Sequence, residues 1–244
     1  MGNKLESVKS FFDQPRRYLS RSSCDVRVRT ETVQKFVRWK QFDSVLDIGC
    51  GDGSVSRPLA TTGTRITLVD ISTAMLSLAR SKYDEELEKN LELVNTDFMA
   101  TQFTPASYDL IICLGVLAHV ESPEETIAKM VTLLKPHGKI IIEFTDSRHF
   151  MKRISDKLRR IVRPSSSADY VLNPLSAPEV MTLVGKYKLK CESIYRYSWW
   201  AFPGTHRVIP QDLLYLMTRF MFGDVDQRRN SWLGNEYICL LSIR

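Results

Sequence analysis

The chain predicts a doubly wound α/β fold on a mostly parallel sheet, and three observations carry that prediction. Short apolar runs alternate along it with segments of helical periodicity. The first run, VLDI, enters a turn with glycines at alternate positions, Gly49, Gly51 and Gly53. The second, RITLV, ends in Asp70, about 20 residues after the turn, where such folds set a carboxylate against a nucleoside ribose. At 244 residues and 43% hydrophobic content, the chain can fill the core of one such domain with insertions.

In order, Lys4–Phe12 and Arg29–Trp39 have helical spacing and Ser44–Ile48 is a short buried strand. A helix is expected from Ser54 to Ala60, a strand at Ile66–Val69 and a helix at Thr73–Lys82. Strands follow at Leu91–Val94, Asp109–Cys113 and Lys139–Phe144. The helix Pro123–Leu134 opens on a Ser122 cap, proline at its first position and two glutamates. A helix near Ala177–Tyr187 and strands at Leu189–Tyr197 and Glu236–Ile243 complete the set, with Pro164–Asp169 as the one linker-like stretch.

The glycine turn separates cofactor classes. Three spaced glycines cost stability unless a ligand needs close approach to the backbone. A dinucleotide fingerprint started at Gly49 needs glycine or alanine where Ser54 stands, and no Tyr-x-x-x-Lys couple occurs in the chain. A phosphate-gripping Walker loop needs Gly-Lys before Ser or Thr, whereas this turn ends Gly53-Ser54. Nicotinamide redox chemistry and nucleotide hydrolysis are both disfavoured.

From Phe42 to Phe144 the residues resemble the class I S-adenosylmethionine-dependent methyltransferases. VLDIGCGDG, VDIS (Val69–Ser72) and NTDF (Asn95–Phe98) are similar to that family's first three cofactor motifs. ASYDLIICLGVLAHVESP (Ala106–Pro123) and LLKPHGKIIIEF (Leu133–Phe144) are similar to its fourth strand with the loop beyond and to its helix-turn-fifth-strand unit. The resemblance implies a Rossmann-like sheet with an antiparallel C-terminal strand and S-adenosyl-L-methionine as cofactor. The methionine part would lie along Gly49, Cys50 and Gly51 with Asp47 near its charges, and Asp70 would hold the ribose. Ile71 and Met75 would pack on the adenine, Asp97 would accept from its amine, Phe98 would close that pocket, and Leu114 would line the site. Plain core roles for Ile71 and Met75, and a turn cap for Asp97, are the alternatives. Tyr18 is expected either to fold over the cofactor or to pack within a helix.

Methyl transfer asks little of the side chains beyond positioning, with a base where the acceptor carries a proton. His119, after the fourth strand, and His206 are the candidate catalytic bases; an architectural His119 is the rival reading, and His137 is expected to be merely exposed.

Charge is concentrated. Between Arg148 and Arg163 stand seven basic residues and one acid, a net +6 equal to the formal charge of the whole chain. With Phe150, Met151, Ile154, Leu158, Ile161 and Val162 at helical spacing, this is a basic amphipathic helix suited to an anionic surface or an acidic substrate, or else an ordinary helix with a solvated face. A second insertion holds Trp199, Trp200, Phe202, Tyr215, Met217, Phe220, Met221, Phe222 and Trp232. It is expected to form an apolar acceptor pocket or lid, or a satellite core. Nucleic acid is an improbable partner: after the fourth strand Cys113-Leu114-Gly115 replaces the Asn/Asp-Pro-Pro-aromatic pattern of base methylation, and no RNA-binding module is present.

No apolar run reaches a membrane span and MGNKLESVKS lacks a signal-peptide core, so a cytoplasmic protein is expected. Glu6 sits where a myristoylation pattern needs Ser or Thr. The five scattered cysteines suit no metal or disulfide framework, and no metal site is expected. The expected organisation is one domain over 1–244: a helical cap at 1–40, a cofactor core at 42–146, and acceptor-binding insertions at 147–176 and 199–233. The expected reaction is methyl transfer to a small-molecule acceptor, anionic or apolar-aromatic, most simply at an oxygen of a biosynthetic intermediate. The alternatives are a lipid, quinone or carrier-linked acceptor at a membrane surface, and a noncatalytic cofactor-binding regulator.

Overall fold

The computed structural model describes residues 13, 15–162, 173–198 and 209–244. Seven strands form one sheet: β1 (Ser44–Ile48), β2 (Arg65–Val69), β3 (Leu91–Val94), β4 (Tyr108–Cys113), β5 (Leu134–Thr145), β6 (Leu189–Tyr197) and β7 (Glu236–Ile243). Their order across it is β3-β2-β1-β4-β5-β7-β6. Strands β1 to β5 pair in parallel, while β7 runs antiparallel to both β5 and β6, as the resemblance implies. All five residues of β1 are buried, as a strand covered on both faces requires. The order reverses between β1 and β4, so the ends of these two strands open the crevice where ligands of such sheets bind.

Helices α1 (Pro15–Val37), α2 (Thr73–Arg80), α3 (Glu85–Glu88), α4 (Pro123–Leu133), α5 (Phe150–Val162), α6 (Ala177–Lys186) and α7 (Gln211–Phe222) accompany the sheet. One apolar layer joins Val28, Val33 and Val37 of α1 to Ile141, Ile238 and Leu240, and takes in Leu214 and Phe222 of α7. The opposite layer joins Ile127 and Met130 of α4 and Val180 and Val184 of α6 to Ile111, Ile140 and Ile142. Ser122 caps α4 as predicted, its hydroxyl accepting from the Glu125 amide at 3.2 Å.

Several expectations are corrected. Ser54–Ala60 is turn followed by a 3-10 turn at Arg57–Leu59, not a continuous helix. Asp52 takes the Ser54 amide (3.2 Å) and hydroxyl (2.9 Å), and Pro58 brings no donor; both work against α-helix. The first helix is far longer than Arg29–Trp39, because Cys24, Val28, Val33 and Val37 bury one face of it in the core. Strand β5 begins at Leu134 and carries Pro136-His137-Gly138 within it, through a register shift against β4. The α7 helix was not foreseen as a helix. Lys4–Phe12, Pro164–Asp169, Trp199, Trp200, Phe202 and His206 lie outside the described residues.

Candidate active site

The first cofactor motif forms as its glycines demand. Gly49, Gly51 and Gly53 have φ of 63°, 53° and 69°, the left-handed region that only glycine enters freely. A Cβ on Gly49 would stand 2.3 Å from Val116 Cγ2, and one on Gly53 3.0 Å from the Ala79 Cβ. One on Gly51 would meet no protein atom within 4 Å, so the loop turns an open backbone edge at its centre.

Asp70 connects the first two motifs. One of its oxygens accepts the Gly51 amide at 2.9 Å and the other the Ser72 amide at 2.9 Å. It is largely buried, and that burial raises its pKa above the ordinary carboxylate range against the pull of these bonds. Asp47 is buried in β1, and its Oδ2 has no hydrogen-bond partner. Burial, with help from Asp70 and Asp52, pushes its pKa up to about 7. A buried carboxylate oxygen without a donor, beside a glycine loop, fits the ammonium end of S-adenosylmethionine. Cys50 gives its amide to the Val69 carbonyl at 3.1 Å, leaving its backbone along the loop.

The adenine side is built less as expected. Ile71 is half-buried, but Met75 is fully buried and offers no open face. Asp97 is a turn cap, taking the Met99 amide at 2.9 Å, while staying half-buried. Phe98 turns into the second core layer, 5.8 Å from the Phe103 ring, and so does not present its ring to the crevice. Lys129, which the sequence did not single out, reaches from α4 to the carbonyls of Phe98 (2.6 Å), Met99 (3.2 Å) and Thr101 (2.5 Å) and fixes this turn. Asp13, also missed, takes the Ser72 hydroxyl at 2.7 Å, so the N-terminal segment touches the second motif. Tyr18 lies at the start of α1, and its side chain is outside the described set.

Beyond β4, Leu114 is nearly buried, and Gly115 has φ of 70°. His119 is half-buried, in a turn closed by its amide to the Val116 carbonyl at 2.8 Å; Asn173 holds the flanking carbonyls of Ala118 and Val120. Cys113 is fully buried and burial raises its thiol, which suits strand core. His137 is exposed near the start of β5, at the end of the strands opposite the crevice.

The insertions divide. In α7, Leu214 and Phe222 are buried; the Tyr215 hydroxyl donates to Glu31 at 2.6 Å and its ring carries the Arg27 guanidinium at 3.6 Å. This part packs on α1 as a satellite core. In α5, Phe150 and Ile154 are exposed beside Arg153 and Lys157, and the four line one shallow groove. Trp232 is exposed and stacks on Phe150 at 5.9 Å. Among the described residues no helix is long and apolar enough to cross a membrane, and no three His, Cys, Asp or Glu residues are grouped to hold a metal.

Comparison with known proteins agrees with this geometry. A family model described as methyltransferase domain matches residues 46–142. A mitochondrial ubiquinone biosynthesis O-methyltransferase of Schizosaccharomyces pombe is 32% identical over 112 residues, 45% of this chain and 40% of that protein. A ubiquinone biosynthesis O-methyltransferase of Stutzerimonas stutzeri is 37% identical over 97 residues, 39% of this chain and 41% of that protein. The chain thus spans well under two thirds of these relatives. Among solved structures, magnesium protoporphyrin IX methyltransferase of Synechocystis, with bound S-adenosylhomocysteine, superposes with a TM-score of 0.66 at 18% identity, over 99% of this chain and 100% of that one. A Thermotoga maritima S-adenosylmethionine-dependent methyltransferase, described as a possible histamine N-methyltransferase, gives 0.67 at 16% identity, over 99% and 100%. With the motifs, the sheet order and the cofactor loop all in agreement, residues 46–142 form a methyltransferase domain similar to those of the class I S-adenosylmethionine-dependent enzymes.

Proposed function

We propose that this protein transfers a methyl group from S-adenosylmethionine to an oxygen of a small biosynthetic intermediate. The observation that carries the reading is the Gly51–Asp70 link inside a glycine loop that matches O-methyltransferases over its cofactor motifs. S-adenosylmethionine supplies a methyl group made electrophilic by its sulfonium: the acceptor oxygen bonds to it while the carbon–sulfur electron pair stays on sulfur. The chain's task is orientation, with the loop and Asp70 holding the cofactor and the loop after β4 facing the acceptor. His119 is the side chain assigned to accept the hydroxyl proton. Incubation with catechols and other hydroxylated ring compounds, read by mass spectrometry, tests the reading. His119→Ala is expected to cut turnover by about a hundredfold with S-adenosylhomocysteine affinity intact; full turnover with lowered folding stability assigns His119 an architectural role.

A second feature favours an acceptor met at an anionic surface. In an ordinary solvated helix the apolar side chains face inward, whereas Phe150 and Ile154 stand exposed among Arg153 and Lys157, next to exposed Trp232. That mixture matches a headgroup boundary, apolar groups below and cations at phosphate level. The protein would then be cytoplasmic and peripheral, its acceptor a lipid-like or quinone intermediate.

A further inference from the structure

Between α1 and the ends of β5, β6 and β7 lies a buried charged cluster that cofactor binding does not use. Arg29 of α1 pairs with Glu143 of β5 at 2.6 Å, and the Tyr197 hydroxyl of β6 donates to the other Glu143 oxygen at 2.9 Å. Asp25 of α1 is buried with its Oδ1 unpartnered, and Glu236 of β7 takes the Thr145 hydroxyl at 2.8 Å. A buried ion pair is seldom more stable than apolar packing of the same volume, so stability alone is a weak reason for this arrangement.

Its position supplies a better one. The Arg29 side chain is 18% exposed and that of Glu143 only 2%, so the arginine is the member that reaches outward. It reaches over Gly115, where a Cβ would come within 2.9 Å of Arg29 Nη2. The next residue, Val116, packs on Gly49 of the cofactor loop. The guanidinium therefore stands over the turn after β4, one residue away from the side chain that meets the cofactor loop.

We infer that Arg29 binds the acceptor oxygen and stabilises its negative charge as its proton passes to His119 and on to solvent, with Glu143 and Tyr197 as positioning residues. The inference rests on the hydroxyl-acceptor reading above and names the acceptor class: a phenol or catechol ionisable near neutral pH. A guanidinium has five N–H donors in a fixed plane, enough to hold Glu143 and meet a ligand oxygen as well. Burial holds the Asp25 carboxyl well above the usual carboxylate range and Glu236 up to about 7. Burial thus weakens the negative charge that Asp25 sets beside the arginine, and Glu143 is the carboxylate in direct contact with it. Lys152 of α5 adds a further positive charge facing Glu236.

The test uses the full-length protein with S-adenosylhomocysteine and 4-nitrocatechol, whose visible absorbance reports the ionisation of its hydroxyls. Binding to the unmodified protein is expected to shift the probe toward its ionised spectrum. Arg29→Gln is expected to abolish the shift and lower catechol kcat/KM more than tenfold, while changing S-adenosylhomocysteine affinity less than twofold. The pH of half-maximal kcat/KM should rise by about one unit, and Arg29→Lys should restore part of each effect. Unmodified protein that methylates the catechol, with both variants behaving alike in spectrum and turnover, overturns the role of Arg29 and leaves the hydroxyl reading intact. Unmodified protein that neither shifts nor methylates the probe overturns both. A variant with lower melting temperature but an unchanged probe shift also overturns it, since that marks a purely structural arginine.

Discussion

At the scale of the residue, Asp70 joins two loops with one carboxylate, and its proposed second task is to hold the ribose. Its oxygens hold the Gly51 and Ser72 amides, and each oxygen keeps a further lone pair for a ribose hydroxyl. Asp70→Ala is expected to release the loop as well as the sugar and to weaken S-adenosylhomocysteine binding by about 2–4 kcal/mol in calorimetry. Asp70→Asn should fall between, because an amide has one accepting oxygen where the carboxylate has two. Unchanged affinity in the alanine variant would remove Asp70 from the ribose site. Asp70 was legible because its role depends on chain spacing from a glycine turn. Met75 and Phe98 were not, because their role depends on which way the side chain turns, and packing turned both into the core.

At the scale of the element, β7 brings Glu236 into the buried cluster. Burial first and Glu143 second raise its pKa to about 7, so the folded state holds that proton more tightly than the unfolded chain. The stability it contributes is complete below about pH 4, the ordinary carboxylate pKa, and is lost as pH rises through about 7. Glu236→Gln should remove that dependence. Between pH 5 and pH 8 the unmodified protein should lose up to about 3 kcal/mol relative to the variant in urea unfolding. Parallel pH profiles would show that Glu236 does not titrate in this range. The α5 helix carries a separate expectation: Phe150→Ser with Ile154→Ser, or Arg153→Gln with Lys157→Gln, should weaken binding to vesicles containing anionic lipid. Salt should weaken the unmodified protein and scarcely affect the charge variant. Equal vesicle binding by all of these would leave α5 an ordinary surface helix.

At the scale of the whole molecule, the proposed cofactor site draws on the N-terminal segment, two βα turns and the turn after β3. Asp13 meets Ser72, the Asn95 side chain donates to the Asp70 carbonyl at 3.0 Å, and Lys129 clamps the Asp97 turn from α4. A ligand spanning these parts stabilises the fold through mass action. S-adenosylhomocysteine at a hundred times its Kd should add about 2.7 kcal/mol. That corresponds to roughly 2–4 °C of Tm for each kcal/mol in a chain of this size. NAD at the same concentration should add nothing, and Asp70→Ala should lose most of the gain; an equal shift with NAD would contradict the cofactor class.

The strand order along the chain, the glycine loop, Asp70 and the charge of α5 are local or evenly spaced features, and the residues alone state them. Alternating apolar runs, glycine spacing and net charge need no knowledge of what lies across the fold. The length of α1 is different: valines buried against the sheet stabilise a helix whose polar first half hides its periodicity. The meeting of Arg29, Glu143, Tyr197 and Glu236 is different again. Arg29 comes from the first helix, Glu143 from the fifth strand, and Tyr197 and Glu236 from the last two strands. No spacing rule joins them. Only the insertion of β7 between β5 and β6, with α1 laid over their ends, brings four distant polar side chains into one largely buried place.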